Sequence, residues 1–140
     1  MIGWLMPIEQ IPRFFPMYYP ALVKACSRLP MWTPEKAIYD ALNDQIELWL
    51  IFSEEDNQAY GVCGTQIHIE DGERVLEILL LGGWRWKEWG FLFDELKSHA
   101  RRNDCPVIRF TGRRGWARLL PEVKQVGWSK GRPIFDLRIE

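Results

Sequence analysis

The segment LLLGGWRWKEWGFLFDELKSHA, Leu79–Ala100, decides how this chain is read. It begins inside an apolar run, Ile78–Leu81, of the kind expected for a strand buried on both faces at the centre of a sheet. Gly82-Gly83 make a turn. Apolar residues then return at Trp89, Leu92, Phe93, Leu96 and Ala100, a spacing of three, four and seven that lies on one face of a helix. Strand, glycine turn and helix together suit a phosphate-bearing cofactor, because backbone N–H groups at a helix start attract anions. Here, however, Trp84, Arg85, Trp86, Lys87 and Trp89 fill the turn where such a loop needs bare backbone.

Working outward, Asp71-Gly72 is a two-residue hairpin signal. It joins a strand over Gln58–Ile69 to one over Arg74–Leu81. Ile46–Ser53 is a third strand, separated from them by the polar turn Glu54–Asn57, and the three form an antiparallel meander. Gly61 and Gly64 allow a bulge or a close backbone approach within the longer strand. Towards the N-terminus, residues 2–6 read as a short edge strand. Pro12, Pro16 and Pro20 forbid one regular helix across the next segment, so a helix runs from Pro16 or Pro20 to Arg28. Thr33-Pro34 starts another, with a capping hydroxyl followed by proline in the first turn, and it ends near Asn43. Downstream, the helix over Trp86–Arg102 ends at Asn103–Pro106. Val107–Thr111 is then a strand parallel to Arg74–Leu81, reached by a right-handed crossover. Gly112–Gly115 turns into a short helix over Trp116–Val123, and Gly127-Trp128 leads to a last strand, Ile134–Ile139.

At 140 residues, 47% hydrophobic and 26% charged, the chain suits one domain, residues 1–140, with a sizeable core. Glu77 interrupts the strongest apolar run, which falls short of the ~18 residues a membrane span needs. The start MIGWLMP has no cationic region and Pro7 cuts its apolar run, so no signal peptide is expected. Cys26, Cys63 and Cys105 are odd in number and far apart, and read as reduced, packed thiols of a cytoplasmic protein. His68 and His99 make no metal-ligand spacing with them. Residues 1–96 hold seven Lys/Arg against fifteen Asp/Glu, whereas residues 97–140 hold eleven against four. Either the two parts complement each other across one fold, or the basic part meets an acidic partner or a polyanion.

The order strand, two helices, three-stranded meander, helix, strand, short helix, strand resembles the GNAT superfamily of acyl-coenzyme A N-acyltransferases. The resemblance covers nearly the whole chain. Its best local match is VIRFTG, then Ala117 and Leu120, then Gly127-Trp128, similar to the family's strand, A-x-x-L helix and Gly-Phe. It implies an α/β fold with a mixed, mostly antiparallel sheet of six to seven strands flanked by helices. It also implies a cofactor loop, Arg/Gln-x-x-Gly-x-Gly, whose first position falls on Trp84 and whose glycines fall on Lys87 and Trp89. A Trp side chain at the last of these would occupy the volume a pyrophosphate needs.

The main reading is therefore non-catalytic, with no cofactor: an interaction or structural protein on a degenerate acyltransferase scaffold. It resembles small GNAT-like proteins of tailed bacteriophages, some of them virion or morphogenesis components, placed in host cytoplasm or virion. Trp89 belongs to the core stripe in this reading. Trp84 and Trp86 fill or cap the vacant groove, with Arg85 and Lys87 at its rim, for a protein partner or a homo-oligomer contact. The alternative is an active N-acyltransferase using acetyl-coenzyme A. Glu77, where the family often places its base, and His68 on the neighbouring strand are then the catalytic candidates, and Gly82, Gly83, Arg85 and Lys87 the cofactor-binding ones. Otherwise Glu77 is an outward or paired carboxylate and His68 an exposed residue near a hairpin. A third reading is a nucleic-acid-binding accessory protein whose Arg101, Arg102, Arg113, Arg114 and Arg118 meet a polyanion, with exposed tryptophans stacking on bases.

Overall fold

The computed structural model describes residues 1–112, 120 and 122–139. In chain order the elements are β1 (Ile2–Leu5), α1 (Phe15–Cys26), α2 (Pro34–Leu42), β2 (Glu47–Ser53), β3 (Gln58–Glu70), β4 (Glu73–Gly83), α3 (Gly90–Arg102), β5 (Val107–Thr111), β6 (Lys124–Ser129) and β7 (Arg132–Arg138). The strands form one sheet in the order β1-β2-β3-β4-β5-β7-β6. Neighbours are antiparallel except β4 and β5, which are parallel, as the crossover through α3 requires. The expected α/β architecture is thus present.

Alternation along the strands sorts the sheet into two faces. On one, Trp49, Cys63, Leu76, Ile108 and Leu137 pack with Trp89, Leu92 and Leu96 of the α3 region. On the other, Leu48, Leu50, Val62 and Leu80 pack with Tyr18, Leu22, Ala37 and Ala41 of α1 and α2. Thr33 caps α2 by accepting the Lys36 N–H at 3.1 Å. Beyond the reach of those helices the second face turns polar: Gln66, His68 and Glu70 of β3, Glu77 of β4, Arg109 of β5 and Asp136 of β7.

One irregularity opens the sheet. Gly64 pairs with Leu80 while Thr65 pairs with Ile78, so Leu79 is an extra residue, a bulge, in β4. The ladder to β5 runs only from Val75 to Ile78, whereas the ladder to β3 continues to Gly83. Past the bulge β4 and β5 no longer pair.

Three details differ from the sequence-based expectation. The helix after β4 does not start at Trp86. Arg85 adopts a left-handed conformation (φ 61°), a single 3₁₀ turn covers Trp86–Glu88, and α3 starts at Gly90. Trp86 is exposed while Trp89 is buried. The final strand begins at Arg132, and a further strand, β6, precedes it through a tight turn at Lys130-Gly131. Its sequence, KQVGWS, lies at a largely exposed edge, and its two apolar residues, Val126 and Trp128, are too few to reveal a strand. Most of the expected Trp116–Val123 helix lies outside the described residues.

The two oppositely charged parts do complement each other. Arg109 pairs with Glu70, Arg138 with Glu73 at 2.7 Å, and His99 contacts Glu47 at 2.7 Å. No helix among the described residues is long and apolar enough to cross a membrane.

Candidate functional site

Glu77 stands on the polar part of the second face, two residues before the bulge. His68 lies diagonally across on β3, and its Nε2 is 2.8 Å from Glu77 Oε1. About a third of each side chain remains accessible (30% and 34%). On the other flank, in register with Glu77, is Arg109. Its fork is spent: Nε donates to Asp136 Oδ1 at 2.7 Å, Nη2 to Asp136 Oδ2 at 3.0 Å, and Nη1 to Glu70. The Asp136 carboxylate, with Glu70 behind it, holds the Arg109 guanidinium protonated well above its usual range. A histidine-held carboxylate beside an opening in the sheet is chemically a proton acceptor.

Sequence reasoning singled out Glu77 and His68, and the structure joins them. It overlooked Arg109 and Asp136. A lone arginine between Ile108 and Phe110 of VIRFT was the available signal, since a charge inside a β-run needs a partner. It also overlooked a buried chain on the opposite face, in which Trp49 Nε1 donates to Thr65 Oγ1, Thr65 to Glu47 Oε1, each at 2.9 Å, and Glu47 Oε2 meets His99.

The turn after β4 is assembled differently from either expectation. Gly82 and Gly83 are no open cradle. A Cβ at Gly82 would lie 2.5 Å from Ala25 Cα, and one at Gly83, where φ is +145°, would strike the Tyr60 carbonyl. Both glycines are required by α1 and β3 packing against β4. Arg85 is clasped by Glu88 (2.5 and 2.7 Å), lies over the Tyr60 ring and is 4.0 Å from Asp56. The guanidinium lowers the Glu88 pKa. Trp84 and Trp86 are exposed (41% and 46%), with Lys24 over the first ring and Lys87 beside the second. Lys87 has no carboxylate partner among the described residues.

Trp89 lies in the core, as its place in the apolar stripe predicts. It is 2% exposed, and its ring turns inward against Gly61, so it does not fill the space outside the helix start. No side chain caps α3 and no acid lies in its first turn. The Leu92 N–H is taken by the Trp89 carbonyl at 2.9 Å, while those of Gly90 and Phe91 have no backbone acceptor among the described residues, and a Cβ at Gly90 would meet nothing within 4 Å. This end fits an anionic group such as a pyrophosphate.

Only two of the five proposed polyanion residues lie among the described residues. Arg101 and Arg102 end α3 beside the start of β5, while Gly112 follows its far end; Arg113, Arg114 and Arg118 lie outside the described residues. No group of three or more His, Cys, Asp or Glu side chains could hold a metal ion among the described residues. Two open depressions of about 290 and 340 Å³ border Asp44–Glu47 and include neither Glu77 nor His68.

No protein-family model and no curated protein matches the chain. Solved structures do. Aminoglycoside 6′-acetyltransferase type Ii superposes with a TM-score of 0.74 at 11% identity, over 100% of this chain and 98% of that one. The acetyltransferase of GNAT family from Streptococcus pneumoniae gives 0.66 at 12%, over 99% of each. The PaiA N-acetyltransferase from Thermoplasma acidophilum, in complex with coenzyme A, gives 0.62 at 13%, over 98% of each. At such identities the likeness speaks for architecture, and the architecture of this chain is that of the GNAT acetyltransferases.

Proposed function

We propose that the chain is an acyl-coenzyme A-dependent N-acyltransferase with Glu77 as its general base. The observation that carries this reading is the placement of Glu77, His68-held and accessible, beside the point where β4 and β5 part. It is preferred to the non-catalytic scaffold because Trp89, at one of the cofactor loop's glycine positions, packs into the core and does not occupy the space before α3.

The coenzyme would supply an acyl group as a thioester. The Gly90 and Phe91 N–H groups at the α3 start, with Lys87 nearby, would hold its pyrophosphate. Glu77 takes a proton from the acceptor ammonium and frees the amine lone pair for attack. His68, on Oε1, fixes the carboxylate and leaves Oε2 for the acceptor. Tyr60 is not the proton donor to the leaving thiolate, because its hydroxyl is committed to Asp56.

Calorimetry with acetyl-coenzyme A, followed by acetyl transfer to a panel of primary amines, tests this. Glu77→Gln should lower kcat roughly 10²-fold or more and leave acetyl-coenzyme A binding intact. Neither binding heat nor transfer to any amine would overturn it.

The exposure of Trp84 and Trp86 favours a second reading, a surface that meets a protein partner. A Trp84→Ala, Arg85→Ala double variant that folds and associates as the parent does would remove it.

A further inference from the structure

The larger of the two open depressions, about 340 Å³, begins one strand away from Glu77. It is lined by Asp44, Gln45, Ile46, Glu47, Gln66 and Ile67. Gln66 is the cross-strand partner of Glu77, which places their Cβ atoms about 5 Å apart. The depression exists because β2 stops short. Its ladder to β3 ends at Glu47 and Thr65, while β3 runs on to Glu70 beside β4. The Gln66 side chain crosses the gap, donating from Nε2 to the Gln45 carbonyl at 3.0 Å.

The lining is of one charge sign. Asp44 and Glu47 border this depression and also the smaller one beside it, and no lysine or arginine lines either. Glu47 is fixed from the interior: wholly buried Thr65 donates to Oε1 at 2.9 Å, and His99 Nε2 is 2.7 Å from Oε2. Part of its side chain (27%) remains accessible. His99, when protonated, balances one of the two carboxylates at most. Asp44 stands just past α2 in a left-handed conformation (φ 59°) and joins no ion pair among the described residues.

A concavity lined by one sign of charge focuses its field and concentrates the opposite charge. The cations around Glu77 cannot relieve it, because the Arg109 fork is spent on Asp136 and Glu70, and Arg138 on Glu73. From Glu77 across β3 to Glu47 is two strand spacings, about 10 Å.

We propose that the acceptor is a diamine or polyamine, whose reacting nitrogen meets Glu77 and whose second ammonium lies in this depression beside Asp44 and Glu47. This rests on the acyltransferase reading above. The strand spacings set the separation of the two nitrogens.

The test is steady-state acetyl transfer to three amines of one chain length: the terminal diaminooctane, aminooctanol and aminooctanoate. KM should rise in that order, with the diamine roughly fivefold or more below the alcohol, the worth of a well-formed accessible ion pair. Asp44→Asn removes one charge and keeps the turn, since asparagine also takes the left-handed conformation. It should narrow the KM ratio between alcohol and diamine roughly two- to fivefold. Glu47→Gln should narrow it as well, with circular dichroism confirming that the variant folds. Equal KM values for diamine and alcohol, or an Asp44→Asn effect of the same size on both, overturns the proposal while the transferase reading stands. Absence of transfer to all three amines overturns this proposal; the transferase reading falls only if the wider amine panel also fails.

Discussion

The indole of Trp89 lies so close to Gly61 that a Cβ built there would sit 2.5 Å from the ring and 2.9 Å from Ile51 Cδ1. This contact anchors the start of α3 to β3 and keeps a large side chain out of the space before the helix. Gly61→Ala should therefore destabilise the fold by about 1–3 kcal/mol through overpacking. Trp89→Ala, which empties the site instead, should cost about 3–5 kcal/mol. Urea melts of both variants check the order; a neutral Gly61→Ala would mean that the ring has room to shift.

Thr65 is wholly buried and relays Trp49 to Glu47, which in turn meets His99. Thr65→Val keeps the volume and leaves the Trp49 indole donor and one Glu47 oxygen without this partner. The expected loss is about 1–3 kcal/mol. Trp49 fluorescence in the folded state should shift as well, because its N–H loses an acceptor. An unchanged melt would show that the relay adds nothing.

Burial pushes the Tyr18 phenol up to about 12 and, together with Glu35, the Cys26 thiol up to about 11. Both groups are neutral when protonated, so the unfolded chain releases these protons first as pH rises. Their contribution to stability is complete below the ordinary thiol value of 9.0. It is lost progressively until about 12. Denaturation midpoints measured from pH 8 upward should fall over that window. Tyr18→Phe should flatten the upper part of the fall, at the expense of the hydrogen bond to the Ile11 carbonyl at 2.7 Å. A Tyr18→Phe profile parallel to the parent's would refute the assignment.

What the sequence determined by itself was local. Asp71-Gly72, Thr33-Pro34, the alternation of the meander and the heptad-like stripe of α3 each act within a few residues, and the elements they specify are present, with only the start of α3 displaced from Trp86 to Gly90. β6 escaped notice because an exposed edge strand buries too little to impose a pattern. Tertiary structure alone decided the site. Whether Trp89 blocks a cofactor or fills the core depends on which way a ring turns at the first residue before a helix, and that is decided by the hollow above Gly61. The pairing of His68 with Glu77, the neutralisation of Arg109 by Asp136, and the approach of Lys130 to Met31 all follow from strand register and helix placement, which join residues up to about a hundred positions apart. A periodic pattern can announce which residues are buried, but not which polar groups meet, because that is settled only when the strands lock into register and one-residue irregularities such as the Leu79 bulge are in place.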